Sequence, residues 1–237
     1  VREADTRRRP LLVVHVFEVR SRTLASLRLP DGVTVDIPLR EAARTRLAEV
    51  VAHCRALAPD VEVDGEFLEG DPVEVLAEVS ADAALLVLGS SGAGAVARVL
   101  MGSTSAELVR KATAPVVVVR GEDSLPDRAL DRIIVGVDES ATSARAIAFA
   151  YDMASRHEAE LVAVHAWHDH PLELFTPVRA WEIDWHLVKE HADTLLSEAL
   201  AGERERYPDV PVHRVVSGER PAEALIDEIH GSSLIVV

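Results

Sequence analysis

Leu85-Leu86-Val87-Leu88-Gly89-Ser90-Ser91-Gly92, followed after nine intervening residues by Gly102-Ser103-Thr104-Ser105, is the stretch whose reading decides the fold. Four apolar residues without alternation suit a strand covered on both faces. Two glycines separated by two residues let the backbone turn tightly and approach a ligand with no Cβ in the way. Gly102 then opens a helix whose first amides, those of Ser103, Thr104 and Ser105, lack an intrahelical acceptor. Orphan N–H donors at the positive end of a helix dipole make an anion site, and the three hydroxyls add hydrogen bonds suited to phosphate oxygens. The competing reading of residues 89–94 is a glycine- and serine-rich surface loop between packed elements. Two other motifs fail on chemistry. A phosphate-binding P-loop needs a lysine just before the hydroxyl residue, and the only lysines are Lys111 and Lys189. A nucleophile elbow needs Gly-x-Ser-x-Gly, and the count from Gly89 through Ser91 ends on Ala93.

Outward from this stretch, strands and helices alternate. Residues 1–9 read as the end of a helix and 11–16 as a buried strand. Residues 39–58 carry the helical stripe Leu47, Val50, Val51, Cys54 and stop at Pro59. A strand over 61–68 leads to Asp71-Pro72-Val73-Glu74, a helix start with Asp71 as cap and Glu74 placed to reach back; that helix runs to about 81. A helix over 103–112, the strand Val116–Val119 and a linker over 121–130 complete the first half. The second half opens on Ile133-Ile134-Val135-Gly136-Val137, the turn Asp138-Glu139-Ser140 and a helix face of Ala144, Ile147, Ala148 and Tyr151. Residues 151–167 then align on 1–17 without a gap, Leu161 on Leu11 and His165 on His15. This is an internal repeat. A helix over 182–201, a strand over 212–216, Gly218 with Pro221 repeating Gly70 with Pro72, and a last strand over 234–237 corresponding to 85–88 follow. The expectation is two units, 1–125 and 126–237, of the α/β class, each a parallel sheet covered on both faces with ligands outside the carboxyl ends of its strands. On this alignment the first unit lacks its opening strand and most of its first helix. The second lacks the glycine turn, its helix and the closing strand, so the chain reads as truncated at both ends.

The spacing of Gly89, Gly92, Gly102 and Ser103, closed by Ala114-Pro115-Val116-Val117-Val118-Val119, resembles the nucleotide-binding members of the universal stress protein family, the UspA-like tandem type. The resemblance implies Rossmann-like sheets of the adenine nucleotide alpha hydrolase kind, with strand order 3-2-1-4-5 in each complete unit. It implies ATP as a regulatory or stress-response ligand, with Mg carried by the nucleotide's phosphates. The phosphates would rest on the amides of Gly92, Gly102, Ser103 and Thr104, with Ser105 assisting. Val16 and Leu88 would line the adenine pocket, core packing being their competing role. Asp138 would contact the nucleotide, against the alternative that it caps the turn before its helix. It also implies a homodimer through Val116 to Val119. No general base or nucleophile stands out, so a binding protein is expected rather than an enzyme, and slow ATP hydrolysis is not legible in these residues. Two rivals come from other classes. Gly92-Ala93-Gly94-Ala95-Val96-Ala97 imitates a dinucleotide fingerprint, but the next strand ends Val118-Val119-Arg120-Gly121 without the acid that an oxidoreductase of that kind needs. A nucleotide-free interaction module would use only its edge strand.

The 237 residues are 48% hydrophobic, enough for a sizeable core, and carry a formal net charge of -15. That charge argues against nucleic acid or an acidic membrane, since only Arg7-Arg8-Arg9 is locally basic. The one cysteine, Cys54, forms no intramolecular disulfide and falls on a helix face as a small apolar residue, so a cytoplasmic location is expected. No apolar run has the length of a membrane span. His165, His168, Asp169 and His170 crowd after a strand, but their spacing matches no closed zinc site, and a structural histidine is the preferred reading. Trp167, Trp181 and Trp185 are read as packing residues. One further expectation concerns the empty centre of the first unit. The linker spans about 40 Å at about 3.3 Å per residue, enough for residues 133–137 to run back and fill that centre, carrying Asp138 to the glycine turn, against the alternative of two incomplete, separate units.

Overall fold

The computed structural model describes residues 1–18, 34–89, 102–119, 130–167, 185–231 and 233–237. The chain divides into two compact units, Val1–Leu125 and Pro126–Val237. Along the first run α1 (Arg2–Arg7), β1 (Leu11–Phe17), α2 (Asp36–Leu57), β2 (Val63–Glu69), α3 (Pro72–Val79), β3 (Leu86–Gly89), α4 (Ser103–Lys111) and β4 (Val116–Val119). The second contains β5 (Arg132–Gly136), α5 (Ala141–His157), β6 (Glu160–Ala166), α6 (Trp185–Arg206), β7 (Val212–Ser217), α7 (Pro221–Asp227) and β8 (Ser233–Val236).

Local chemistry explains the helix starts. Asp71 accepts hydrogen bonds from the amides of Val73 (2.9 Å) and Glu74 (3.2 Å), with Pro72 in the first turn of α3. Glu74 does not reach back as its spacing suggested. Its carboxylate accepts instead from Lys111 Nζ at 2.6 Å and ties α3 to α4. Ser140 caps α5, its Oγ accepting from the amide of Ser143 at 3.0 Å.

The second unit is an all-parallel sheet ordered β7-β6-β5-β8, which numbered along that unit reads 3-2-1-4. Successive side chains of a strand point to opposite faces, so continuous apolar runs fill two layers. Ile133, Val135, Leu161 and Ala163 pack with Ile147, Tyr151 and Leu196 of α5 and α6. Ile134, Val162 and Val164 pack on the other side with Ala224 of α7.

The repeat is visible in geometry. Leu11 stands opposite Val63 as Leu161 stands opposite Val212. Arg8 and Glu158, at equivalent helix ends, both adopt left-handed conformations at φ 50° and 52°. The bonds that close those ends, Arg9 N–H to Ala4 O and Ala159 N–H to Ala154 O, are both 2.9 Å.

The described strands of the first unit part where the repeat alignment places its missing opening strand. They form two separate two-stranded parallel sheets, β1-β2 and β3-β4. The runs 11–16 and 85–88 are therefore not buried on both faces: Leu12 is 45% and Val87 52% exposed. The cover that β5 and α5 provide in the second unit has no counterpart among the described residues of the first. Nor does β5 fill the gap. Both of its edges are taken within its own unit, by β6 (Ile133 opposite Leu161) and by β8 (Ile133 opposite Leu234). The expected crossover of residues 133–137 into the first unit is thus overturned, because a strand has only two hydrogen-bonding edges. Cys54 is buried on the inner face of α2, as its spacing indicated.

Candidate functional site

In the first unit the site is built where β3 ends and α4 begins. Gly102 stands at the N-cap of α4 with no side-chain cap, and its carbonyl accepts the first intrahelical bond, from the amide of Ala106 at 2.9 Å. The amides of Ser103, Thr104 and Ser105 precede that bond and are the orphan donors of the helix. No acidic residue lies in the first turn of α4, while Arg110 and Lys111 occupy its last turn. No carboxylate within that turn competes for the positive end of the dipole.

Leu108, fully buried, anchors the helix. The hydroxyl of buried Ser105 donates to the carbonyl of Gly89 at 3.4 Å, pinning the start of α4 to the end of β3. That leaves Ser103, exposed, and Thr104, half-buried, as the hydroxyls turned to other uses. Beside Gly89 the space is open: an added Cβ would meet nothing within 4 Å. The described protein packs nothing there, as a close approach by a ligand requires. Val16 and Leu88 are half-buried at the carboxyl ends of β1 and β3, paired with Leu68 and Val118. Gly92 lies outside the described residues.

In the second unit a cavity of about 210 Å³ opens at the carboxyl ends of β5, β6 and β8. Val137 and Asp138 line it from the turn after β5, Val164 from β6, Ser143 from α5, and Pro221 and Leu225 from α7. Asp138 is exposed at its rim. Its Oδ1 accepts from the amide of Ser140 at 2.8 Å, and its own amide donates to Ser143 Oγ at 3.0 Å. The Ser140 side chain and backbone amide, facing the Asp138 carboxyl, hold it below the usual carboxylate range; burial opposes the shift and the charge of His165 adds to it. Asp138 therefore stays ionised at neutral pH while Ser140 does the capping.

His165 is a structural residue. Its Nδ1 lies 2.8 Å from the carbonyl of Val137 and ties β6 to the turn after β5. Among the described residues no group of three or more His, Cys, Asp or Glu is arranged to hold a metal. His168, Asp169, His170 and Trp181 lie outside the described residues, and of Trp185 only the backbone, opening α6, is described. Trp167 packs over Gly218, where a Cβ would come within 2.8 Å of the indole. The sequence reading missed Ser143, Pro221 and Leu225 as cavity residues. The signal was present for the last two, since Gly218 with Pro221 repeats Gly70 with Pro72 and places a helix beside the strand ends.

The family model described as the universal stress protein family matches residues 1–120 and 129–237, once per unit. The chain is 40% identical over 239 residues to the universal stress protein Rv2005c of Mycobacterium tuberculosis, a match covering 99% of this chain and 79% of that protein. It is 36% identical over 242 residues to the universal stress protein Rv2623 of the same organism, covering 100% and 78%. Among solved structures, a universal stress protein from Archaeoglobus fulgidus superposes with a TM-score of 0.60 at 19% identity, over 92% of this chain and 69% of that one. This last match is a likeness of fold.

Proposed function

The chain belongs to the universal stress protein family, and from that premise we propose that it binds an adenine nucleotide, ATP with its Mg, as a regulatory ligand at the glycine turn of the first unit. One observation carries the reading. The uncapped N-terminus of α4, with three orphan amides and no acidic residue in its first turn, is held against the open backbone of Gly89 by the Ser105 hydrogen bond. The phosphates rest on Gly102, Ser103 and Thr104, with Gly92 from the intervening turn. Mg comes with the nucleotide, since its ligands there are phosphate oxygens and water rather than a protein cage. Val16 and Leu88 offer half-buried apolar surface to the base, and the role is that of a binding protein and not chiefly a catalyst.

Calorimetric titration with ATP tests this. Gly102→Val blocks backbone approach and Ser103→Asp sets a negative charge beside phosphate, so each weakens binding by about tenfold or more, or about 1.4 kcal/mol. Unchanged affinity in both variants overturns the phosphate assignment. NADH titration separates the oxidoreductase rival: NADH binding that ATP does not displace would replace this function with that one.

A homodimer through β4 is the assembly we propose. Among the described residues its one ladder is to β3, Val119 is 39% exposed, and an apolar edge of this kind is a template for pairing with another copy. Light scattering that gives a monomer at high concentration rejects it.

A further inference from the structure

We propose that Arg55 guards a sheet edge: its guanidinium closes the outer edge of β2 to a further strand, and removing it opens residues 63–69 to pairing with an extended chain. The inference is independent of the nucleotide reading. It begins with the ladder between β1 and β2. Leu11 N–H donates to the carbonyl of Glu62 at 2.8 Å and Gly70 N–H to the carbonyl of Phe17 at 3.3 Å, so the even-numbered residues of this stretch turn their backbone groups toward β1. Along a strand those groups alternate between its two edges. Val63, Gly65, Phe67 and Glu69 therefore direct theirs to the opposite edge, which has no ladder partner among the described residues.

A row of outward backbone groups is a template for another chain, and here its first acceptor is already taken. Arg55 Nε and Nη2 both donate to the carbonyl of Val63, at 3.0 and 2.6 Å, and Nη2 lies 3.6 Å from Asp64 Oδ1. The path of the side chain carries the argument. Arg55 starts from α2, on the face of the sheet where Val63 packs with Val51 and Cys54. Asp64 belongs to the other face, because successive side chains of a strand alternate. To reach both residues the guanidinium crosses the edge, along the line that the backbone of an added strand would follow. Two more arginines of α2 accompany β2 and meet side chains instead: Arg40 pairs with the Glu69 carboxylate, and Arg44 lies 4.6 Å over the Phe67 ring. With Val63 closed, residues 65–69 are what the strand still offers, and a very short edge is itself protected. Stability alone does not account for the contact. The side chains of Arg55 and Asp64 are 59% and 71% exposed, and an ion pair so exposed contributes little.

The test is amide hydrogen exchange on the full chain, titrated with a synthetic peptide of alternating threonine and valine that carries lysines at both ends. The native chain, Arg55→Ala and Arg55→Glu are compared. Alanine suits an exposed helical position, and glutamate can neither donate to the Val63 carbonyl nor pair with Asp64, so the two variants open the edge by different substitutions. In both, the peptide should slow exchange of the Gly65 and Phe67 amides, which point outward, by about tenfold or more and saturably. The amides of Asp64 and Glu66, which face β1, should be unchanged, and the native chain should show no slowing at Gly65 or Phe67. Equal slowing in the native chain and the variants would mean that Arg55 guards nothing. Absence of slowing at Gly65 and Phe67 in both variants would mean that the edge does not accept a strand, and either result overturns the proposal.

Discussion

At the scale of single residues, the turn after β5 couples protonation to folding. Asp138 Oδ1 takes the Ser140 amide, Ser140 Oγ takes the Ser143 amide, and Ser143 Oγ takes the Asp138 amide, closing a ring of three hydrogen bonds at the start of α5. Ser140→Ala removes the cap and costs about 1 kcal/mol, read as a lower urea midpoint in tyrosine and tryptophan fluorescence. The carboxyl of Asp138 titrates below its ordinary value of 3.8 because the folded state stabilises the anion. A depressed folded pKa means that the contribution is complete above the unfolded pKa and is lost as pH falls through the folded one. The stability gap between the native chain and Asp138→Asn should accordingly be constant from neutrality down to about pH 4 and shrink below it. A gap that stays constant to pH 2 would show that these bonds do not favour the charged form.

At the scale of elements, α2 packs tightly on β2. A Cβ added to Gly65 would lie 2.7 Å from Val51 Cγ2, and a valine on a helix has essentially one rotamer to offer. Gly65→Ala should therefore overpack this contact and cost about 1–3 kcal/mol. Gly65→Ala combined with Val51→Ala should cost less than the two singles added, since the second change removes the obstructing methyl. Denaturation followed by far-UV circular dichroism measures both, and strict additivity would mean that the helix simply moves away. The same scale separates what was legible in the sequence from what was not. β4 falls on Val116–Val119 as read, and the Asp71 cap follows from residues adjacent in the chain. The partner of Glu74 was not legible, because Lys111 reaches it from 37 residues away. Apolar runs show that β1 and β3 require cover, and it was the repeat alignment, not any pattern within 11–16 or 85–88, that read the first unit as lacking its opening strand. For the site, Gly102 and its uncapped helix were readable from spacing, whereas the turn of Ser105 toward Gly89 depends on packing between elements.

At the scale of the whole molecule the two repeats are unequal. The second unit places Tyr151, Ile133, Ile134, Leu161 and Leu196 in full burial around a four-stranded sheet. Among the described residues the first has two two-stranded sheets, a cluster of Val51, Cys54, Val61 and Val63, and buried Val73 and Leu108. Each fully buried aliphatic or aromatic side chain contributes about 1.5–3 kcal/mol, and a two-stranded ladder has little stability of its own. The first unit should unfold at the lower denaturant concentration. The chain's aromatics make this measurable, since all three tryptophans, Trp167, Trp181 and Trp185, and both tyrosines, Tyr151 and Tyr207, belong to the second unit. Fluorescence therefore follows the second unit alone, while far-UV circular dichroism follows both. In a urea titration the dichroism should begin to fall before the fluorescence changes, and non-coincident probes are the signature of unfolding that is not two-state. Amides of β1 and β3 should exchange through low-energy openings, and those of β5 and β6 only through the global transition of their unit. Superimposable curves from the two probes, with uniform protection across both repeats, would mean that the uncovered strands cost the first unit nothing and that the inequality read from burial is wrong.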